Sequence, residues 1–544
     1  MKKDVILNML ERIKDILMLP FSKHLVLLVF LFATLLPYMW LHVVILQYIP
    51  YGYVMGVHCF LIAYFVTLLV SLIKRRSIRV VAQVILVVLA AIYFALNVYC
   101  LVEFQSLLDV DYLMLIINTN VNEATEFLTS VLRISIVLGV GGVLLFFLLL
   151  WILSRRHHIG INSKWSIPVL ILLVALASVN LMTLNVWRDG PILQVPYLFY
   201  SLRKYQIPNN LKLNNTNPSV TYLDKEKLPA NVVLIIGESF SRSHSSLYGY
   251  DKPTNPKLGE LRENSMLFAF DSVESPAVRT SESISFMMGL CTRNDLTNGT
   301  KRWYEFTTVI ELMNVSGYDT YWYSNQDSLG VYNVTARVFA QSCDYVDFIR
   351  EGTHLSNGRI LDKELVDLSS QTVNHLDSSL HFVVYHLMGS HFDYKMRYPN
   401  EFEHFSEKDY LDRLENQRQV LAEYDNSILY NDYVVEQIIN LFKDKDAVVI
   451  YVPDHAQDMF ESAPDFFMHA KQNDPVSCFW GARIPFIVYV SPLYKEHNPD
   501  VVQRMQERQE HPKPWNSEDL PYFILDVMGV QTVNGADVKA RSVL

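Results

Sequence analysis

Cysteine is scarce in this chain, with 5 among 544 residues, which excludes a fold built on disulfides. Cys59 and Cys100 fall in apolar segments, so Cys291, Cys343 and Cys478 allow one bridge at most. No C-x-x-C spacing occurs, and a cysteine-built zinc site is not expected. Long basic runs are missing too, and the formal net charge is −10. A nucleic-acid partner is therefore excluded, since nothing is arranged to neutralise phosphates. Charged residues, 19% of the chain, are thin before about residue 190, where the apolar residues concentrate. The remainder has the mixed composition of a water-exposed domain.

Apolar stretches at 24–47, 53–73, 80–101, 132–153 and 166–187 are each long enough to cross a bilayer, which takes about 20 residues. The first is too long for a signal-peptide core and lacks a small-residue cleavage site, so it reads as an uncleaved anchor. Lys2, Lys3, Arg12, Lys14 and Lys23 precede it. Lys74, Arg75, Arg76 and Arg79 fill the second loop, and Arg155, Arg156 and Lys164 the fourth. The alternate loops hold no such excess, and 102–131 carries Glu103, Asp109, Asp111, Glu123 and Glu126. The positive-inside rule then places the N-terminus in the cytoplasm and residues 188–544 outside. If one stretch were instead a buried core helix, that orientation would invert.

Tyr112–Asn120 in the loop 102–131 reads as a helix at the membrane surface. Pro196–Tyr205 mixes aromatics with Arg203 and Lys204, the composition of an interfacial segment. Such a shelf suits an enzyme working on lipid head groups, and equally any chain leaving a membrane. The expected layout is a five-span domain over 1–190, an interfacial segment and linker over 191–225, and an extracytoplasmic domain over 226–544.

In that last part, apolar runs at Asn231–Ile236, Met266–Asp271, Asp319–Tyr323, His381–His386, Ala447–Val452 and Pro485–Val490 read as strands. Helical periodicity covers 306–316, 359–377 and 412–442. This alternation predicts an α/β domain with a mostly parallel sheet and helices on both faces. Ligands of such sheets bind beyond the carboxyl ends of the strands. There, VVLIIGES places Glu238, and VVIYVPDH places Asp454 and His455. Two carboxylates and an imidazole suit Zn²⁺, with Mn²⁺ as the alternative. Thr280, in PAVRTSESISFMMGL, offers a hydroxyl at a helix start, where backbone amides favour negative charge. HLMGSHFDY offers His386 and His391, FFMHA offers His469, and TYWYSN ends near Asn325; these could donate to phosphate oxygens. Each also has a plain structural alternative. Glu238 reads as a helix-start charge, Asp454-His455 as a turn cap, and Thr280 or Ser281 as an N-cap.

Taken in this order, these residues resemble the phosphoethanolamine transferases of the alkaline-phosphatase/sulfatase superfamily, over nearly the whole chain. Gly237–Ser239 followed by RSHSSLYGYDKPTNPKL resembles the family's first metal strand and the turn after it. Thr280 matches the nucleophile, Asp454 and His455 the paired metal ligands, and His391 and His469 the histidines that contact the transferred phosphate. The resemblance implies Zn²⁺ held by Glu238, Thr280, Asp454 and His455. It also implies phosphatidylethanolamine as donor, a covalent intermediate on Thr280, and lipid A or a glycan as acceptor. Its usual setting is the inner membrane, with a periplasmic catalytic domain. SNQDSLGVYNV departs from lipid A-modifying members by lacking Cys and Lys, and the three outer cysteines cannot form their disulfides. In the 102–131 loop Thr119 and Glu123 match the family pattern, whereas Leu115 stands where Asn is usual. Two related readings stay open: a phosphoglycerol transferase of the lipoteichoic-acid-synthase type, and a membrane-anchored sulfatase or phosphatase. A receptor on a degenerate enzyme fold is the reading from another class.

Overall fold

The computed structural model describes residues 2–45, 48–104, 107–108, 134–156, 160–161, 165–181, 191, 211, 213, 216–327, 334–350, 360–376, 379–464, 466–470 and 474–544. The chain forms two compact units with a boundary between Gln206 and Ile207. In the first, a helix over Lys2–Leu17 precedes α1 (Leu25–Trp40), α2 (Ile49–Ser71), α3 (Arg76–Phe104), α4 (Ile134–Arg156) and α5 (Ser166–Leu181). Among the described residues, three helical stretches are long and apolar enough to cross a membrane: Leu25–Val44, Ile49–Ser71 and Arg76–Val102. The apolar stretches of α4 and α5, Val137–Leu153 and Ser166–Ser178, are shorter, so three spans rather than five reach full length. The expected spans at 132–153 and 166–187 run past the described residues at 132–133 and 182–187. Nearly all of the loop 102–131, including Thr119 and Glu123, and the whole of Pro196–Tyr205 also lie outside them. A Cβ on Gly56 would sit 2.9 Å from the Met39 sulfur, so a small residue there lets α1 and α2 approach closely. Ile85, Leu89 and Ile92 of α3 point outward uncovered, as a hydrocarbon-facing helix requires.

The second unit is built on a seven-stranded sheet. Its strands are β1 (Asn231–Gly237), β2 (Leu267–Phe270), β3 (Tyr318–Asp327), β4 (Tyr345–Arg350), β5 (Leu380–His386), β6 (Ala447–Pro453) and β7 (Phe486–Val490). Their spatial order is β2-β7-β6-β1-β5-β3-β4. Pairings from β6 through β4 are parallel, whereas β7 runs antiparallel to both β6 and β2. The sheet is therefore mixed, with one reversed strand. The edge strand β4 was not among the expected strands, because Tyr345–Arg350 lacks an unbroken apolar run.

Central strands are apolar on both sides because both faces are covered. Val232, Leu234 and Ile236 pack beneath α6 (Thr280–Met288), α7 (Val309–Ser316), α8 (Val334–Ala340) and the later helix Leu520–Val527. Val233 and Ile235 pack against α9 (Asp362–Val373) and α10 (Glu415–Phe442). Each such buried Val, Leu or Ile contributes roughly 1.5–3 kcal/mol. Local chemistry sets the helix limits. Thr308 and Glu311 form a capping box that starts α7, and Gly317, at φ 90°, ends it. Among the described residues no disulfide joins Cys291, Cys343 and Cys478, so the one bridge the sequence allowed is not formed.

Candidate active site

The parallel register places Gly237 beside Pro453 and Ile236 beside His386, so three strands end side by side. Glu238 therefore emerges next to Asp454 and His455, all three buried. Gly237 permits this approach, since a Cβ there would lie 2.4 Å from the Tyr451 hydroxyl. The chain then turns through Ser239, which takes a left-handed φ of 58°, a costly choice for a residue with a side chain. Four contacts hold that turn. The Ser239 amide donates to Asp454 Oδ1 (3.2 Å), and its hydroxyl donates to Glu238 Oε1 (2.5 Å). Gln457 Nε2 donates to that hydroxyl (2.9 Å), and the Tyr424 hydroxyl donates to the Ser239 carbonyl (2.7 Å).

Thr280 is the first residue of α6, and the N-cap position falls on Arg279, without a side-chain capping bond. The capping alternative for Thr280 is thus overturned. Its hydroxyl instead donates to Glu238 Oε2 at 3.2 Å and lies 3.4 Å from His455 Nε2. His455 donates Nδ1–H to the Ala456 carbonyl at 2.9 Å, which turns Nε2 toward both carboxylates. Asp454 does accept backbone amides, from Ser239 and His455 (2.7 Å), but only at Oδ1. Asp454 Oδ2 is buried without a hydrogen-bond partner.

Burial pushes the Glu238 carboxyl well above the usual carboxylate range, and the Asp454 charge beside it adds to the shift. Two carboxylates crowded out of water, one with an unsatisfied oxygen, fit a divalent cation. Glu238, His455 and His469 each offer a ligand atom, all within 4.8 Å of one another. The His469 ring lies 4.7 Å from that of His455 and 6.2 Å from that of His391. Burial, helped by Arg397, lowers His391 to about 4. Burial also holds His469 well below the ordinary histidine value, with His455, His391 and Arg279 adding to it. His391 Nδ1 donates to the Phe392 carbonyl, so the neutral ring presents Nε2 as a proton acceptor.

Six of the eight residues singled out in the sequence thus gather beyond the carboxyl ends of the central strands. Asn325 is instead fully buried near the end of β3, and its Nδ2 donates to Asp362 at 2.7 Å. His386 stacks edge-on to Trp322 in the core, where burial lowers it to about 4. Gln457 and Asp362 escaped the sequence reading and carried no signal in it; Ser239 entered only as the end of the Gly237–Ser239 motif, without its supporting role.

A sulfatase family model matches residues 230–530, more than half of the chain, and the protein belongs to the sulfatase family. Among curated relatives, phosphoethanolamine transferase EptC of Escherichia coli (strain K12) is 25% identical over 451 residues, covering 78% of this chain and 76% of that one. Among solved structures, the integral membrane lipooligosaccharide phosphoethanolamine transferase A of Neisseria meningitidis superposes with a TM-score of 0.70. That match covers 96% of this chain and 98% of that one, at 18% identity. The C-terminal periplasmic domain of E. coli EptC, solved in complex with Zn, gives a TM-score of 0.52 at 23% identity, over 61% and 89% of the two chains. These likenesses establish a membrane domain of apolar helices followed by a sulfatase-like α/β domain.

Proposed function

We propose that the protein transfers phosphoethanolamine from phosphatidylethanolamine to an envelope acceptor such as lipid A or a glycan, by way of a covalent intermediate on Thr280. The observation that carries this reading is the placement of Thr280 Oγ1, 3.2 Å from Glu238 Oε2 and 3.4 Å from His455 Nε2. The names of the relatives supply the substrate class. Glu238, Thr280, Asp454 and His455 are the residues that would hold Zn²⁺, and the zinc complex of the EptC domain supports that choice of metal. Bound there, the ion supplies positive charge that favours the ionised hydroxyl and the charge gathering on the phosphate.

In the first half-reaction the Thr280 Oγ1–phosphorus bond forms, and the bond from phosphorus to the diacylglyceryl oxygen breaks. The proton leaving Thr280, directed at Glu238 Oε2, is balanced by the one diacylglycerol takes up. In the second half an acceptor hydroxyl displaces Thr280, and His391 Nε2 is the lone pair suited to take its proton. His391 and His469 are the residues assigned to the phosphate; Asn325, expected beside them, donates to Asp362 instead. An odd number of membrane spans with a cytoplasmic N-terminus would set the catalytic domain on the periplasmic face of the inner membrane.

The test is the intact mass of the purified protein after incubation with phosphatidylethanolamine, beside Thr280→Ala. A gain of one phosphoethanolamine on the unmutated protein alone is the expected result. An adduct formed only from phosphatidylglycerol would move the protein to the lipoteichoic-acid-synthase type, and no adduct from either lipid would favour a hydrolase.

A further inference from the structure

We propose that Asp362 is a positioning residue of this site: its carboxylate fixes the single turn on which both Glu238 and His391 are seated. What the site does rests on the transferase reading; the seating itself does not.

Asp362 opens α9 and is 4% exposed. An acidic residue at a helix start ordinarily serves its own helix. Here that duty falls to Glu364, whose carboxylate accepts the Leu361 amide at 3.0 Å. Both Asp362 oxygens are spent on other elements. Oδ1 accepts from the Met388 amide at 2.9 Å and from Asn325 Nδ2 at 2.7 Å, and Oδ2 accepts from the Gly389 amide at 2.9 Å. Hydrogen bonds to an ionised acceptor are about twice as strong as neutral ones, and two of these converge on consecutive backbone amides.

The turn gripped in this way lies directly on the metal-ligand backbone. The Leu387 amide donates to the Ile236 carbonyl and the Ser390 amide to the Glu238 carbonyl, each at 3.0 Å. Gly389 sits at φ 50°, and a Cβ there would be 2.8 Å from the Glu238 carbonyl oxygen and 2.9 Å from its nitrogen. From the neighbouring strand, Gln326 Nε2 donates to the Leu387 carbonyl at 2.9 Å. His391 follows two residues after Gly389. A shift of this turn therefore displaces a carboxylate from β1 and an imidazole from the loop after β5 together. Asp362 acts through these groups, its oxygens bonded to Asn325 and to the amides of the turn.

The experiment compares Asp362→Asn with Asp367→Asn, an exposed partner of Lys363 on the same helix, in the full-length detergent-purified protein. Asparagine keeps the size but replaces one acceptor oxygen with a donor that faces an amide N–H. The readouts are the visible absorption spectrum of the Co²⁺-loaded protein, kcat and KM for transfer, and the melting temperature. Asp362→Asn is expected to shift the cobalt spectrum and lower kcat roughly 10- to 100-fold, as outer-shell partners of metal ligands do. KM should change far less, and Asp367→Asn should alter neither. Asp362→Glu, which keeps the charge but moves it by one methylene, should show the same spectral shift and covers the case of an Asn variant that does not fold. An unchanged cobalt spectrum and kcat beside a lowered melting temperature would reduce Asp362 to a structural tie. A shifted spectrum in a protein whose unmutated form makes no phosphoethanolamine adduct would sustain the positioning role and sink the transferase reading.

Discussion

Replacing Gly389 with alanine tests how tightly the site is supported. Gly389 has φ 50°, and the added Cβ would meet the Glu238 carbonyl oxygen at 2.8 Å, its nitrogen at 2.9 Å and its Cβ at 3.2 Å. The left-handed conformation costs an alanine about 1–2 kcal/mol. Contacts below 3.0 Å with backbone atoms cannot be relieved by a rotamer change, and overpacking of that kind costs about 1–3 kcal/mol more. Gly249 supplies the control, because it is also left-handed, at φ 94°, yet has open space where a Cβ would go. The stiffening of the unfolded chain is shared by both variants and cancels between them. Gly249→Ala should therefore lose about 1–2 kcal/mol and leave zinc uptake unchanged. Gly389→Ala should lose about 1–3 kcal/mol beyond that and, with Glu238 holding zinc as proposed, take up less of it, because the strain falls on the Glu238 backbone. Urea unfolding followed by tryptophan fluorescence, with metal content by atomic absorption, reads both quantities. Equal destabilisation of the two variants with full zinc in each would refute the reasoning.

Other perturbations probe the support around the site. Burial alone would lower the buried His244, but the Asp425 carboxylate at 2.6 Å, with Glu461 beyond it, raises its pKa above the ordinary value. That contribution to stability is complete below about pH 6.5 and is lost as pH rises through the folded-state value. The stability gap between the unmutated protein and His244→Gln should accordingly shrink from pH 6 to 9; a gap constant over that range would contradict the pairing. Arg504 holds the buried Asp526 through two bonds of 2.7 and 2.9 Å. Arg504→Met leaves that carboxylate alone and should cost about 3 kcal/mol, the low end of the range because Arg504 keeps some solvent contact. Asp526→Asn in the same background should recover much of the loss in urea unfolding. If it recovers nothing, the charge is not what the arginine compensates.

Much of the fold is legible in the chain because its signals are local. Short unbroken runs rich in β-branched residues, such as Val232–Ile236 and Val448–Val452, read as strands covered on both faces, and the periodicity of Glu415–Phe442 reads as a long helix. Strand ends in a parallel sheet are where ligands bind, so Glu238, Asp454 and His455 could be picked out before any distance was known. Periodicity carries no direction, however. It could not show that β7 runs against its neighbours, nor that Tyr345–Arg350 completes the edge.

The chemistry itself was decided by packing. Thr280 reads from propensity as a cap, and only the approach of α6 to the end of β1 turns its hydroxyl onto Glu238, 42 residues away. The Ser239 amide meets Asp454 across 215 residues, and Asp362 reaches the Met388 amide across 26. Such partners share no local pattern, since a carboxylate at a helix start looks the same whether it serves its own helix or a distant turn. The sequence by itself determined which segments are apolar, which are strands and which residue types stand at their ends. The tertiary structure alone decided which of those groups share one desolvated space, because that depends on the order in which the strands are stacked.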